Sequence, residues 1–204
     1  MNRYPRISRR GFSLIEVLIS LTITGTLLAA TMAALDASFK SYKATTEGAS
    51  THVVSRMVMN RIMAMLRTGT QFGPYPNDVL DNTQNPVTST FVEFLASDDG
   101  AGHQRIVRVE RRAAASAANG PYELWYRQVD MTNGTQTAAD ERPLITGVTE
   151  ASFILEYDVG PRLRRATVDL TIRPNDYQDA RIGVNFEAPT IRLVSSTMPR
   201  RLLD

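Results

Sequence analysis

The chain has 204 residues, 43% of them hydrophobic and 22% charged, which predicts one globular domain with space for a membrane anchor but not for a second full domain. Its formal net charge is +2. Four arginines, Arg3, Arg6, Arg9 and Arg10, lie near the N terminus, and without them the charge would be −2, so the positive charge gives no support for a nucleic-acid-binding domain. The lack of cysteine excludes disulfide bonds and cysteine-ligated metal sites.

An apolar run from Phe12 to Leu35 follows a basic leader, residues 1–11. As a helix rising about 1.5 Å per residue, the run would measure about 36 Å, enough to cross a hydrocarbon core of about 30 Å. Glu16 is its only charge. Basic residues precede the run and none follows it until Lys40, which predicts a single-pass helix over residues 12–35 with a cytoplasmic N terminus and the remaining chain outside the cytoplasm.

A second helical segment is predicted over residues 36–67, which contain no proline and carry apolar residues at helical spacing. The residues around Gly48 have low helix propensity, and they predict a bend or local unwinding there. The methionines between Met57 and Met65 are suited to packing against a sheet.

Residues 68–204 are predicted to form an antiparallel sheet domain, which begins with a long irregular loop rich in glycine, proline and asparagine. The alternation from Arg165 to Ile172 predicts a strand with one packed face and one wet face. The expected fold class is α+β, a long N-terminal helix packed on a C-terminal antiparallel sheet. The predicted strands are Phe91–Leu95, Ile106–Arg112, Tyr122–Val129, Ser152–Tyr157, Arg165–Ile172 and Thr190–Ser195.

Three polar segments are predicted to link the strands, at Ala113–Gly120, Thr132–Ala139 and Asn175–Ala180. The second contains Asn133-Gly134, a pair that favours a two-residue hairpin turn. Because the polar stretch around this pair is long, we expect a loop there and not a tight hairpin.

The most informative string is Arg9-Arg10-Gly11-Phe12-Ser13-Leu14-Ile15-Glu16. A carboxylate inside an apolar membrane segment is costly in lipid, so Glu16 is expected to have a partner or a function. A chain cut before Phe12 would begin with an ammonium group about 6 Å along the helix from Glu16. In stacked, axially offset subunits, the ammonium group of one subunit would approach the carboxylate of the next, and the pair would set the register.

This string resembles the class III signal peptide of the type IV pilin superfamily, which a membrane-embedded aspartic prepilin peptidase cuts after the glycine. The resemblance implies cleavage between Gly11 and Phe12, N-methylation of Phe12, and a role for Glu16 in subunit assembly. It also implies a non-enzymatic subunit without a cofactor, anchored in the bacterial inner membrane with its C-terminal domain in the periplasm. The implied partners are prepilin peptidase, other minor and major pseudopilins, and a secretion or pilus assembly platform.

Within the superfamily, the basic segment Arg162–Arg165 before an alternating strand and the C-terminal run from Thr190 to Arg201 look like minor pseudopilins of type II secretion, the J type especially. Such a subunit enters or primes a periplasmic pseudopilus for protein secretion. The membrane run lacks the proline found in many major pilin helices, which speaks against a major-subunit role.

Other interpretations stay open at this point. The chain is alternatively a periplasmic enzyme or binding protein held by an uncleaved signal anchor, or a subunit of a type IV pilus. A competence pilus for DNA uptake would require an exposed basic groove with aromatic residues, and no nucleic-acid partner is expected. Ser8–Phe12 also resembles the start of a twin-arginine export signal, but the apolar run is long for a removable signal and no A-x-A site lies between Thr22 and Thr45.

Candidate catalytic and metal-binding residues are few. His52 and His103 are the two histidines and have no ligand-spaced partners, so we predict no metal site. Nucleotide-binding and hydrolase motifs are absent from the sequence. Asp98-Asp99-Gly100 offers oxygen ligands to calcium but lacks EF-hand spacing, and we interpret it as a solvated turn.

Arginines recur in two strand segments, 105–112 and 162–165, where they form either a surface for acidic partners or the wet side of the sheet. Alternation places Arg105 and Arg111 on one face, which we interpret as the wet one. Trp125 is either a core residue or an interface hot spot, and we predict that it lies in the core.

Overall fold

The computed structural model describes residues 11–115, 121–160, 162–173 and 190–200. These residues form one long helix and an antiparallel sheet, which confirms the predicted α+β fold class. The chain divides into two compact units, Met1–Thr46 and Glu47–Asp204. The elements are α1 (Leu14–Thr68), β1 (Thr70–Gly73), β2 (Val87–Ser89), β3 (Phe91–Asp98), β4 (His103–Ala113), β5 (Tyr122–Thr132), β6 (Thr135–Asp158), β7 (Arg162–Ile172) and β8 (Ile191–Thr197).

The N-terminal unit contains the apolar half of α1, which is long and apolar enough to cross a membrane. Apolar side chains along it, such as Leu18 and Leu28, are exposed. The hydroxyls of Ser20, Thr22 and Thr24 donate to helix carbonyls three or four residues earlier. The helix therefore satisfies these hydroxyls and its interior backbone by itself, as a segment in lipid must.

In the C-terminal unit, the second half of α1 covers one face of the sheet. Its buried residues recur at helical spacing and join a single core with the inward residues of the strands. Met59 and Met63 confirm the prediction of methionines packed on the sheet, whereas Met57 is 66% exposed. The helix contributes Val58, Met59, Ile62, Met63 and Leu66, and the largest fully buried sheet residues include Phe94, Leu124, Phe153, Leu155, Leu170 and Ile172.

The sheet has the strand order β1-β3-β4-β5-β6-β7-β8, and neighbouring strands are antiparallel. With 24 residues, β6 is the longest strand; its first part pairs with β5 and its last part with β7. The short β2 pairs with Phe153–Leu155 of β6, beyond the end of its pairing with β5. All six predicted strands are present, and Ala166, Val168, Leu170 and Ile172 form the predicted buried face of β7.

The prediction of a loop over Thr132–Ala139 is wrong, because a tight hairpin connects β5 to β6. Thr132 pairs with Thr135, and the two residues between them, Asn133 (φ 51°) and Gly134 (φ 79°), have the positive φ of a type I′ turn. The Asn133 N–H also donates to the Gly102 carbonyl of the adjacent hairpin at 2.8 Å. The local preference of Asn-Gly outweighs the polar composition of the surrounding stretch.

Two further expectations about irregular structure differ from the fold. The loop predicted before Phe91 contains the short strands β1 and β2. The helix continues through Gly48, so the unwinding predicted there is wrong. One glycine costs a helix about 1 kcal/mol, which the residues on either side of it offset. Residues 116–120 and 175–180 of the predicted linkers lie outside the described residues.

The face assignment of Arg105 and Arg111 is also wrong. Alternating residues of a strand share a face, and Val107 and Val109 between them are buried in the core. The two arginines therefore lie on the core-facing side of β4, near its ends. Arg105 Nε donates to Asp130 at 2.8 Å, and the Arg111 guanidinium lies 4.4 Å from the centre of the Tyr122 ring.

Trp125 is not a core residue, contrary to the prediction. Its neighbours Leu124 and Tyr126 are buried, and Trp125 lies on the face of the sheet opposite α1. Its indole N–H donates to Glu123 at 2.9 Å, and the Arg112 guanidinium lies 5.0 Å from its ring centre. We call this face, with Glu93, Arg108, Glu110, Arg112 and Trp125, the outer face.

Candidate functional site

The candidate site is the start of α1, where two reciprocal hydrogen bonds cap the helix. The Ser13 N–H donates to Glu16 Oε2 at 2.8 Å, and the Glu16 N–H donates to Ser13 Oγ at 3.3 Å. The Val17 N–H donates to the Ser13 carbonyl, which makes Ser13 the N-cap. This capping box satisfies N–H groups that a helix otherwise leaves unpaired at its first turn.

Glu16 therefore has a partner within the single chain. Its carboxylate lies in the first turn, where the helix dipole favours negative charge, and it accepts the Ser13 N–H. Sequence reasoning selected Glu16 but missed Ser13. The Ser-x-x-Glu spacing before an apolar run was the available signal, because it is typical of a capping box.

Gly11 and Phe12 precede the helix, next to Ser13 along the chain. A Cβ built on Gly11 would meet no described atom within 4 Å. The fold itself therefore does not require glycine at this position. Phe12 is 88% exposed. The predicted leader up to residue 10 lies outside the described residues.

Residues 6–32 match the family model of the prokaryotic N-terminal methylation motif. The chain carries a prepilin-type N-terminal motif. The matched range includes Gly11, Phe12, Ser13 and Glu16, and it supports a type IV pilin-like subunit that prepilin peptidase processes and that assembles with others of its kind. Together with the apolar helix, the prepilin motif indicates a membrane-anchored, single-pass protein. Searches of curated proteins and of solved structures gave no match to the chain.

Outside the prepilin motif, the described residues hold no group of three or more acidic or histidine side chains able to bind a metal ion. The turn between β3 and β4 uses its carboxylates internally: Asp98 accepts the Gly100 N–H, and Asp99 accepts those of Ala101 and His103. These backbone hydrogen bonds lower the pKa of both carboxyl groups. The geometry is that of the predicted solvated turn.

Most arginines considered as a surface for acidic partners are paired within the sheet. On the outer face, Glu110 accepts from Arg108 at 2.6 Å and from Arg112, and Arg112 also bonds Glu141 at 2.9 Å. Arg165 lies 2.8 Å from Glu156, which is also near Arg164. These arginines are neutralised by carboxylates of the same chain, so they form no open basic surface.

Proposed function

We propose that this chain is the precursor of a minor pseudopilin, similar to the J type of type II secretion, that enters or primes a periplasmic pseudopilus. Prepilin peptidase cuts between Gly11 and Phe12, and the new Phe12 amino group is methylated. The mature chain crosses the inner membrane once through the first half of α1, with the sheet domain in the periplasm. It acts through contacts with other subunits and with the assembly platform, and not by catalysis.

The observation that carries this proposal is the coincidence of the methylation motif with a structural boundary. The motif covers residues 6–32, and α1 begins at Leu14 within it. The bond between Gly11 and Phe12 thus lies in exposed, non-helical backbone, which proteases cleave most readily. Because the described residues place no steric demand for glycine at Gly11, its position inside the methylation motif favours recognition by an external enzyme as the reason for glycine there.

Processing tests the proposal directly. Co-expressed with a prepilin peptidase, the chain should yield a product that begins at Phe12 and carries one added methyl group, as read by intact-mass measurement and N-terminal sequencing. Gly11→Leu should leave an uncut precursor in the membrane, because a bulky side chain replaces the glycine at the cut. Gly25→Leu is the matched control, since a Cβ at Gly25 also meets nothing within 4 Å, and it should be processed normally.

A product that retains Met1, or one that starts beyond Leu35, would contradict the prepilin interpretation. Normal cleavage of Gly11→Leu would contradict it equally.

A further inference from the structure

The second half of α1 carries a row of exposed residues on the side away from the sheet. The core residues of this half, from Val58 to Leu66, lie on the opposite side of the helix. Met57 and Val53 belong to the exposed row and are 66% and 54% exposed, although both are apolar. The row follows the a and d spacing of a heptad, which in a coiled coil faces a partner helix. We call it the stem seam: Val53 and Asn60 at d, and Met57 and Ala64 at a.

Two arginines flank the stem seam. Arg56 takes a g position and Arg61 an e position of the same heptad pattern, so they lie on opposite sides of the seam. The sequence has no aspartate or glutamate in residues 48–69. Neither arginine forms an ion pair within the described residues, unlike Arg108 and Arg112 of the outer face. The described residues therefore leave the positive charge on both sides of the seam uncompensated.

The sheet holds Arg61 in place. The Arg61 guanidinium lies 5.9 Å from the centre of the Tyr126 ring, and Tyr126 is buried. A cation–π contact of this kind orients a guanidinium without removing its charge. Because an oriented side chain loses little entropy on binding, Arg61 is suited to pair with a carboxylate of another chain.

We infer that the stem seam binds a parallel helix of a different pilin-like subunit, one with apolar residues at a and d and acidic residues at e and g. In parallel coiled coils, the e and g residues of the two helices form ion pairs across the interface. Carboxylates of the partner helix pair with Arg56 and Arg61, and its a and d side chains cover Val53 and Met57. Asn60 favours the register in which it meets a polar residue of the partner helix.

A second copy of this chain does not fit the stem seam. When two identical helices lie parallel and in the same register, Arg56 of each copy approaches Arg61 of the other, and the like charges repel. The seam therefore favours a different subunit and does not build an array of copies of this chain. A subunit that meets others of a different type agrees with the proposed minor role.

The inference deepens the proposed function by giving the chemistry of the neighbouring subunit. It rests on that function for the parallel orientation, because helices that follow N-terminal spans in one membrane run in the same direction. Arg67 takes the next d position and ends the seam close to the end of α1 at Thr68. Because the seam is short, its flanking charges decide which helix it accepts.

A designed probe tests this charge selectivity in the full chain. The probe has residues 1–46 of this chain as its anchor, then a helix with valine at a, leucine at d, glutamate at e and g, and one cysteine at an a position. The full chain carries Met57→Cys, and the sequence has no other cysteine to interfere when membranes are oxidised. The disulfide with this probe should exceed that with a lysine probe about tenfold, because both charge pairs turn from attractive to repulsive. The lysine probe differs only in having lysine at e and g.

Charge reversal in the chain provides the matched control. Adding Arg56→Glu and Arg61→Glu to the Met57→Cys chain should invert the preference, so that the lysine probe cross-links about tenfold more than the glutamate probe. Arg164→Glu, an exposed charge reversal on β7, should leave the preference unchanged. Val194→Cys, on β8 and 56% exposed, should cross-link to neither probe. Circular dichroism of each variant confirms that the fold is retained.

The natural partner is tested in cells that express the other pseudopilins of a type II secretion system one at a time, each with a tag. A benzophenone attached to Met57→Cys is photoactivated in membranes, and the tag on the product identifies the subunit. The product should contain a pseudopilin with acidic residues at the e and g positions of its stem. Arg56→Glu with Arg61→Glu should abolish it, and a tagged second copy of this chain should give little product.

Equal cross-linking to the glutamate and lysine probes overturns the inference, as does a preference that the arginine reversals leave unchanged. A benzophenone product formed with a second copy of this chain alone, or with none of the pseudopilins, does the same. The stem seam lies in the C-terminal unit, so the cross-link is read whether or not the leader is cut. The mass of the full chain in the same samples reports cleavage at Gly11 and thus tests the proposed function independently.

Discussion

Gly48 lies within α1 and Gly69 directly follows its last residue, but the space around the two glycines differs. The Gly69 N–H donates to the Met65 carbonyl just past the last helical residue. A Cβ at Gly69 would lie 2.5 Å from Cδ2 of Phe94, a buried residue, whereas a Cβ at Gly48 would meet nothing within 4 Å. Only at Gly69 does packing against the sheet exclude a side chain.

We therefore predict that Gly69→Ala lowers the free energy of unfolding by about 1–3 kcal/mol, because the added methyl group must displace the Phe94 ring. Gly48→Ala should instead raise it by up to about 1 kcal/mol, because alanine is the better helix former. Urea unfolding of the full chain in one detergent, followed by circular dichroism, compares the two. If both substitutions change stability equally, the contact with Phe94 does not restrict this position.

Ser13 shows how a helix-capping residue is overlooked at the scale of single residues. A charge in an apolar run draws notice because its desolvation is costly. A serine three residues before that charge is a common residue and draws no notice. Only the spacing of Ser13 and Glu16 indicates that the two residues form a capping box at the start of the helix.

At the scale of the element, β4 carries the main charge network of the outer face. Glu110 lies between Arg108 and Arg112 on this strand, and its side chain is largely buried. Burial alone would raise the pKa of Glu110, but hydrogen bonds from Arg112 and Arg108 outweigh it and hold that pKa below its ordinary value. The ionised form of Glu110 is thus favoured by folding.

The consequence is a pH dependence of stability. In the unfolded chain the pKa of a glutamate is about 4.3, and in the folded chain the pKa of Glu110 is lower. The ionised Glu110 therefore adds fully to the free energy of unfolding above about pH 4.3, and this contribution is lost as the pH falls through the lower, folded pKa. Glu110→Gln should cost about 1–3 kcal/mol at neutral pH, since two arginines lose their shared carboxylate. The difference from wild type should shrink between about pH 5 and pH 3.

Urea unfolding at several pH values measures this difference. Glu93→Gln is the control, because Glu93 lies 3.7 Å from Arg108 at a more exposed position. This substitution should change the free energy of unfolding little at any pH. If the loss in the free energy of unfolding caused by Glu110→Gln stays constant down to pH 3, the ionisation of Glu110 is not its cause.

The strands of this sheet were largely predictable from sequence, since period-two alternation is a local property. In β7 the alternation identifies both the strand and its buried face. In β4 the strand was predicted, but the faces of Arg105 and Arg111 were reversed, because a charged residue near a strand end can lie on the core side and still reach solvent or a partner such as Asp130.

The pairing of β6 could not be predicted in this way. Its two parts use different partners, β5 and then β7, and that division depends on where those strands end in space. Likewise β2, with three residues, has too little pattern to mark it, and only its pairing with Phe153–Leu155 defines it as a strand. Tertiary contacts decide such elements, not local propensity.

At the scale of the whole molecule, the two units differ in where their apolar side chains are covered. The C-terminal unit has a core of its own, formed by α1 and the sheet. Apolar side chains of the N-terminal unit, such as Leu18 and Leu28, are exposed, and lipid or other helices must cover them. The start of that unit, with Phe12 and Glu16, is where assembly is expected to depend on a single charge.

Glu16→Gln tests that dependence with little disturbance of the fold. Glutamine at this position still closes the capping box with Ser13, and a neutral side chain is more compatible with lipid, so insertion, cleavage at Gly11 and folding should be normal. Docking should weaken at least about tenfold, because the Phe12 ammonium group of the neighbouring subunit would then lack a counterion in the apolar assembly. Co-purification with a differently tagged wild-type copy, and with a co-expressed major pseudopilin, measures the loss.

Ser13→Ala separates the charge of Glu16 from the helix cap. This variant removes the N-cap hydroxyl but keeps the carboxylate, so it should fray the first turn and yet retain most of the docking if charge pairing is what matters. If Ser13→Ala loses docking as severely as Glu16→Gln, the shape of the helix start is the determinant and not the ion pair. If Glu16→Gln is processed and docks as well as wild type, Glu16 has no assembly role in this protein, and its carboxylate serves only to cap α1.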